Sequence, residues 1–303
     1  MTETDPVWRS FYLFFDGYIF TPEADAVLLH DVSPWIERHR HLLKRWFFIR
    51  YNLGGAHIRL RFIAQDGQAD ALVSSLEDLA TASPRVTELT EVPYQPELVR
   101  YSGASGLEAS ETLFQSSSEV CLDLLSKIAP GERPALLGKS LLAQLVLFHA
   151  FSPDAGDAAG VSRDFGGAYL RSRTANPEQQ QQWVRDFEAA FDRQADRLAQ
   201  YVTVAWKQLQ AGDTLTPELD RFRDAMAPTL ETLRADGEAG RLVTDQGPSP
   251  WPVAGPYLLH SHLHMLNNRM GVNLKEECYL AVLVQRALDD FADDSEHEPE
   301  TGP

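Results

Sequence analysis

Hydrophobic and polar positions alternate with a period of two along His57 to Phe62, downstream of the aromatic-rich run Arg45 to Tyr51. The pattern predicts two strands, Arg45 to Tyr51 and His57 to Ile63, joined by a turn around Gly54-Gly55. On the second strand Ile58, Leu60 and Phe62 share one face, and His57, Arg59 and Arg61 share the other. Upstream, the aromatic-rich stretch Trp8 to Phe15 predicts a first strand. Pro22 to Leu43 predicts helix, interrupted before Pro34. Downstream, Gln68 to Ala80 carries Leu72, Leu76 and Leu79 at helical spacing, and Val86 to Val92 reads as a fourth strand. The order strand-helix-strand-strand-helix-strand is that of a ferredoxin-like split βαβ sheet.

From Gly106 onward the apolar period becomes helical. Helices are predicted over Leu107 to Ile128, Pro134 to Phe151, Pro177 to Leu209 and Pro217 to Arg234. The last three carry proline near their starts, where a missing N–H costs nothing. Ser152 to Gly160, rich in Gly, Asp and Pro, reads as a loop. A Gly/Pro-rich connection, Asp245 to Pro252, precedes two final helices, roughly Tyr257 to Met270 and Leu274 to Phe291. The expected class is therefore α+β, as a single unit over 1–303. Residues 1–104 form its sheet part, 105–291 its helical part, and 292–303 a solvated acidic tail.

Composition narrows the function classes. Hydrophobic residues make up 44% of the 303, enough for a substantial core. The net charge is -17, with Asp+Glu 44 against Lys+Arg 27. Tight nucleic-acid binding needs clustered Lys and Arg, so direct nucleic-acid contact is not expected. The two cysteines, Cys121 and Cys278, lie in helical apolar patterns and read as core residues, with no disulfide framework or metal box. No signal peptide pattern opens the chain, and no stretch is expected to reach transmembrane apolar length. A cytoplasmic protein with no membrane partner is expected. No nucleotide-binding loop or nucleophile elbow occurs, and no cofactor is called for.

Three clusters carry chemistry. The first is the Arg59/Arg61 pair, which repels itself unless an anion or an acidic side chain sits nearby. Guanidinium binds carboxylate and phosphate bidentately, so a carboxylate or phosphate clamp is a candidate role. The second is Tyr94-Gln-Pro-Glu-Leu-Val-Arg-Tyr-Ser-Gly103, at the junction of sheet and helices, where Glu97 and Arg100 can share one turn. The third is Leu259-His-Ser-His-Leu-His-Met-Leu-Asn-Asn-Arg-Met-Gly271. On a helix only His260 and His264 share a face, and no carboxylate follows nearby at zinc-ligand spacing, so no metal site is expected. His264 has Asn267, Asn268 and Arg269 within about one turn, a polar group that is costly unless it lines a cavity. His262 reads as a core histidine.

Together these three motifs resemble the elimination domain of lantibiotic (lanthipeptide) dehydratases and its free-standing relatives in thiopeptide-type bacteriocin biosynthesis. They occur in family order and span nearly the whole chain. The resemblance implies a lyase that expels glutamate from glutamylated Ser or Thr of a ribosomal precursor peptide, leaving dehydroalanine or dehydrobutyrine. Carried over by position, Arg59, Arg61, Arg100 and His264 are the expected catalytic residues. His57, Tyr94, Glu97, Asn268 and Arg269 are the expected substrate contacts. Ser116 stands where an acidic residue is expected, and Ser102 stands where the pattern Arg-Tyr-Gly-Gly has glycine. The implied partners are the glutamylated precursor peptide and a separate tRNA-Glu-dependent glutamylating protein; a homodimer stays open. Two alternatives share the scaffold. One is a pyridine synthase joining two dehydroalanines by formal [4+2] cycloaddition with release of the leader peptide. The other is a non-catalytic subunit that binds the precursor peptide.

Overall fold

The computed structural model describes residues 7–173, 176–193 and 195–297, and it turns the period-two stretches into a four-stranded sheet. The strands are β1 (Arg9–Phe14), β2 (Leu43–Tyr51), β3 (His57–Ala64) and β4 (Glu88–Glu91), in the order β2-β3-β1-β4. Every neighbouring pair is antiparallel. Between β1 and β2 run α1 (Pro22–Val27) and α2 (Ser33–His39), and α3 (Ala69–Ala82) links β3 to β4. The hairpin turn needs its glycines, because Gly54 and Gly55 take φ of +86° and +119°.

The segment before Pro34 is not broken as expected. One π-helical turn, Leu28–Val32, joins α1 to α2 and keeps the path helical. A widened turn accommodates a proline that lacks an N–H and crowds the preceding turn. Asp31 in that turn is buried and pairs with Arg85 at 2.7 Å, tying the helical segment to the approach of β4.

Register decides what each sheet face carries. Ile58, Leu60 and Phe62 lie opposite Leu13, Phe11 and the β2 residues Phe48 and Trp46, and all of these are buried. Trp35 of α2 packs on Phe62 with ring centroids 5.6 Å apart, so this face is the core under α1, α2 and α3. On the other face Arg59 lies between Tyr12 and Ile49, and Arg61 between Ser10 and Phe47.

The helical part is joined to the sheet along the β2 edge. An open edge exposes unpaired N–H and C=O groups. Here the N–H groups of Trp46, Phe48 and Arg50 are taken by Gln115, Ser118 and Asn268. The carbonyls of Phe48 and Arg50 accept from Arg269 and Asn268, each at 2.9 Å. Side chains from two helices therefore replace a missing fifth strand. Those helices are α4 (Gly103–Leu125) and α10, which spans Trp251–Met270.

The remaining helices are α5 (Arg133–Phe151), α6 (Ala155–Arg173), α7 (Pro177–Asp192), α8 (Ala195–Ala211), α9 (Pro217–Glu238) and α11 (Leu274–His297). A two-stranded ribbon, β5 (Val243–Thr244) and β6 (Gly247–Pro248), precedes α10. Several expectations need correction. The predicted loop Ser152 to Gly160 is largely the start of α6, where Asp154 accepts the N–H of Asp157 at 2.8 Å. The small residues read as loop signals are packing surface instead: Ala158 and Ala159 are fully buried. Farther along, a Cβ on Gly166 would meet Ala281 of α11 at 3.0 Å. The single helix over Pro177 to Leu209 is two helices. Phe187 of α7 packs with Leu170 and Cys278, whereas Val202 and Trp206 of α8 join the main core, so one straight helix would not serve both. α10 begins six residues earlier than expected and carries Pro256 inside it. The acidic run after Phe291 continues as helix to His297, and residues 298–303 of the expected tail lie outside the described residues.

By length and composition α5 could cross a membrane, contrary to the sequence reading. It packs instead against α8, α9 and α10, with Leu145, Val146, Leu147 and Phe148 buried among them. Cys121 and Cys278 are buried and unbridged, as expected.

Candidate active site

Strand alternation, a strained junction and one helix face meet at a cavity of about 470 Å³, within the usual range of roughly 300–1,000 Å³ for ligand sites. Its floor is the second face of the sheet, with Arg59, Arg61, Tyr12, Phe47 and Tyr51. Its walls are the loop 93–102 before α4, bearing Tyr94, Glu97 and Arg100, and the α10 face bearing His264, Asn268 and Arg269. His260 and His262 do not line it.

Three of the guanidiniums, those of Arg59, Arg61 and Arg269, are held without being neutralised. The Arg59 group lies 3.4 Å from the ring centroid of Tyr51 and 4.5 Å from that of Tyr12. Its Nε donates to Nε2 of His57 at 3.1 Å. The Arg61 group lies 4.7 Å from the Tyr94 ring and 5.4 Å from Phe47. Burial pulls its pKa down from the ordinary arginine value, yet arginine stays charged at neutral pH. Arg269 is buried, stacks 5.2 Å from Phe114 and gives its Nε to the Phe48 carbonyl, while its Nη2 has no hydrogen-bond partner. Burial lowers Arg269 to about 10, still above neutral pH. Among the described residues Arg59, Arg61 and Arg269 form no ion pair with a carboxylate. Arg100 does: Glu97 lies 3.1 Å away. Arg50 also borders the cavity, but its guanidinium is committed elsewhere, to Asp25 at 2.6 Å and two carbonyls. A chain of net charge -17 thus concentrates cations around one carboxylate.

The loop that carries Arg100 ends in an unusual conformation. Ser102 has φ +59°, the one non-glycine positive φ among the described residues. For an L-residue this costs about 1–2 kcal/mol, which accounts for the glycine in the expected pattern at this position. The carbonyl of Ser102 accepts the N–H of Val243 at 3.0 Å. Arg100 itself reaches α10 through its Nε, 3.4 Å from Ser261 Oγ. Tyr94 donates its hydroxyl to buried Glu111 at 3.0 Å. Glu111, five residues before Ser116 on α4, was not singled out in the sequence. Ser116 itself donates to the Thr112 carbonyl of its own helix.

Two of the expected substrate contacts serve other purposes. His57 does not line the cavity. It is 1% exposed, with Nδ1 2.8 Å from the Gly55 carbonyl and its ring 4.6 Å from that of Tyr12. Nδ1–H donates to that carbonyl and Nε2 accepts from Arg59, so the ring is neutral and orients Arg59. Asn268 lines the cavity while its amide is committed to both backbone groups of Arg50.

His264 stacks on Tyr169 of α6, with ring centroids 5.1 Å apart. Its Nδ1 lies 3.0 and 3.2 Å from the two carboxylate oxygens of Glu277, which is 1% exposed. Sequence reasoning missed Glu277, because it belongs to the next helix and reads there as an ordinary acidic first turn. Among the described residues no cluster of His, Cys, Asp or Glu is arranged to hold a metal ion.

The buried histidines make stability sensitive to acid. Burial lowers His262 to about 3 from its ordinary 6.5, and burial also lowers His57 and His260. Below pH 6.5 the unfolded chain binds protons that the native state refuses, so stability falls with pH. By pH 5 the His262 share is about 2 kcal/mol. Denaturant unfolding at pH 7.5 and pH 5 is expected to show this loss, and His262→Phe to reduce it. A pH dependence unchanged by that substitution would contradict the assignment.

The family model described as lantibiotic biosynthesis dehydratase C-term matches residues 8–288. Among solved structures the chain is similar to the tRNA-dependent lantibiotic dehydratase MibB from Microbispora sp. 107891, at 23% identity and a TM-score of 0.66. That match covers 98% of this chain but 29% of MibB, so the chain spans under a third of that protein's length. It is similar to TsrL at 15% identity and a TM-score of 0.71, covering 94% of this chain and 95% of TsrL. It is also similar to TbtD, a pyridine synthase from thiomuracin biosynthesis, at 14% identity and a TM-score of 0.74, covering 95% and 99% of the two chains. No curated protein matches in sequence. At these identities the solved structures establish a shared helix-rich α+β fold.

Proposed function

Because the chain belongs to the lantibiotic dehydratase C-terminal family, we propose that it catalyses β-elimination of glutamate from glutamylated Ser or Thr in a ribosomal precursor peptide. The observation that carries this reading is the set of guanidiniums without carboxylate partners, Arg59, Arg61 and Arg269, facing one cavity with Arg100 and His264. Buried cations without counter-ions are costly, and a substrate anion removes that cost. A glutamyl ester brings one free carboxylate and releases another. In the reaction the Cα–H pair becomes the Cα=Cβ bond, the Cβ–O bond breaks, and glutamate departs with the bonding electrons on its carboxylate. Preorganised cations meeting that charge as it develops are usually the largest catalytic contribution. His264 is the proton carrier of this set. Arg59 is steadied by His57, and Arg100 by Glu97.

The likeness to TbtD favours a second reading, formal cycloaddition of two dehydroalanines on the same fold. That reaction expels no carboxylate and has no evident use for the arginine set. We assign glutamyl transfer to a separate tRNA-dependent protein, since a chain of net charge -17 is poorly suited to tRNA. One experiment tests the scheme. The pure chain is incubated with a chemically glutamylated precursor, without tRNA, and followed by mass spectrometry. Loss of glutamate with formation of dehydroalanine is expected. An intact ester, or a requirement for tRNA, would overturn the scheme; cyclisation of a preformed bis-dehydroalanine peptide would support the second reading instead.

A further inference from the structure

Glu277 is a carboxylate that burial should penalise. It is 1% exposed and sits in the first turn of α11, where the helix N-terminus favours negative charge. It reaches across to α10 and meets His264 Nδ1 at 3.0 and 3.2 Å. A carboxylate there accepts a hydrogen bond from Nδ1–H. With Nδ1 holding its proton in both ring states, Nε2 becomes the nitrogen that gains and loses one. Tyr169 stacks on the ring from α6, so the imidazole is fixed on its face as well as its edge. The charged and titratable groups around it are Glu277 from α11, Tyr169 from α6 and Arg100 from the loop before α4. Arg59 and Arg61 of β3 and Arg269 of α10 also line the cavity.

We propose that Glu277 is a positioning residue that locks His264 in its Nδ1–H tautomer, and that Nε2 of His264 is thereby the base for the substrate α-proton. The proton passes from Cα to Nε2, the Cα–H electrons form the double bond, and the Cβ–O electrons leave with glutamate. The positive charge gained by the ring faces Glu277. The rate readout rests on the elimination reading; the tautomer assignment does not.

The test combines Glu277→Gln and Glu277→Asp with two measurements. For Glu277→Gln the elimination rate constant is expected to fall about 10²-fold or more, since an amide in place of the carboxylate that orients a catalytic imidazole costs up to about 10⁴-fold. KM should change little. Glu277→Asp, which keeps the charge, should restore part of the rate. In its neutral form the wild-type imidazole should show, by ¹⁵N spectroscopy, a protonated Nδ1 and a bare Nε2, and Glu277→Gln should show a mixture of the two tautomers. A neutral wild-type ring with its proton on Nε2 would overturn the proposal, as would a folded Glu277→Gln with unchanged tautomer and rate. If the wild type eliminates no glutamate, the function fails while the spectrum still decides the role of Glu277.

Discussion

Alanine at Arg59, Arg61 or Arg100 is expected to leave a folded protein that accumulates glutamylated peptide. The loss should reach about 10²–10³-fold in the elimination step, the size found when one preorganised donor to a developing anion is removed. Folding should survive because Arg59 and Arg61 support little structure and Arg100 gives up its Glu97 pair and a 3.4 Å contact with Ser261. Arg59 is held by stacking and one bond to His57, and Arg61 by Tyr94, Phe47 and a 3.4 Å contact with Ser10. Removing a like charge from the cavity also lessens repulsion among its cations. Lysine should rescue poorly, because a point charge cannot reproduce a planar fork stacked between rings. Glutamate release from a glutamylated peptide, measured beside the melting temperature of each variant, separates activity from stability. Normal elimination by all three variants would remove the clamp.

His264→Ala should slow elimination by about 10²–10⁴-fold, the usual worth of a positioned proton carrier. The loss should persist in His264→Phe, which retains the stack on Tyr169 and removes the nitrogen chemistry. His262→Ala makes the contrast. That ring is buried among Tyr101, Phe114 and Phe151, with Nε2 3.1 Å from Ser110 Oγ, and it is absent from the cavity lining. Its removal should cost about 2–5 kcal/mol of stability, as for other large-to-small core changes, with the rate of the folded fraction little altered. Near-normal turnover by His264→Phe would defeat the role proposed for this histidine.

Much of the cavity was legible in the amino-acid sequence, for a local reason. Strand alternation alone places Arg59 and Arg61 on the face opposite Leu60, and proline-started helices announce themselves one by one. The errors came where long-range packing overrode local signals. The small residues of Ser152 to Gly160 looked like a loop, yet Ala158 and Ala159 are buried packing surface of α6. His57 shares a face with the arginines, but the hairpin turn folds the Gly55 carbonyl back onto its ring and makes it a brace.

By itself, then, the sequence determined element types, the split of apolar and cationic faces on β3, and the chemical kinds of group available to the site. Those properties depend on period and residue type, which are written in consecutive positions. Only the tertiary structure decided that β2 is sealed by Gln115, Ser118 and Asn268, that Arg269 reaches the cavity with an unpaired nitrogen, and that Glu277 stands behind His264. Each depends on helices whose relative placement follows from how whole apolar faces pack. Between β3 and α10 lie about two hundred residues of chain, and no local pattern encodes that both border one cavity.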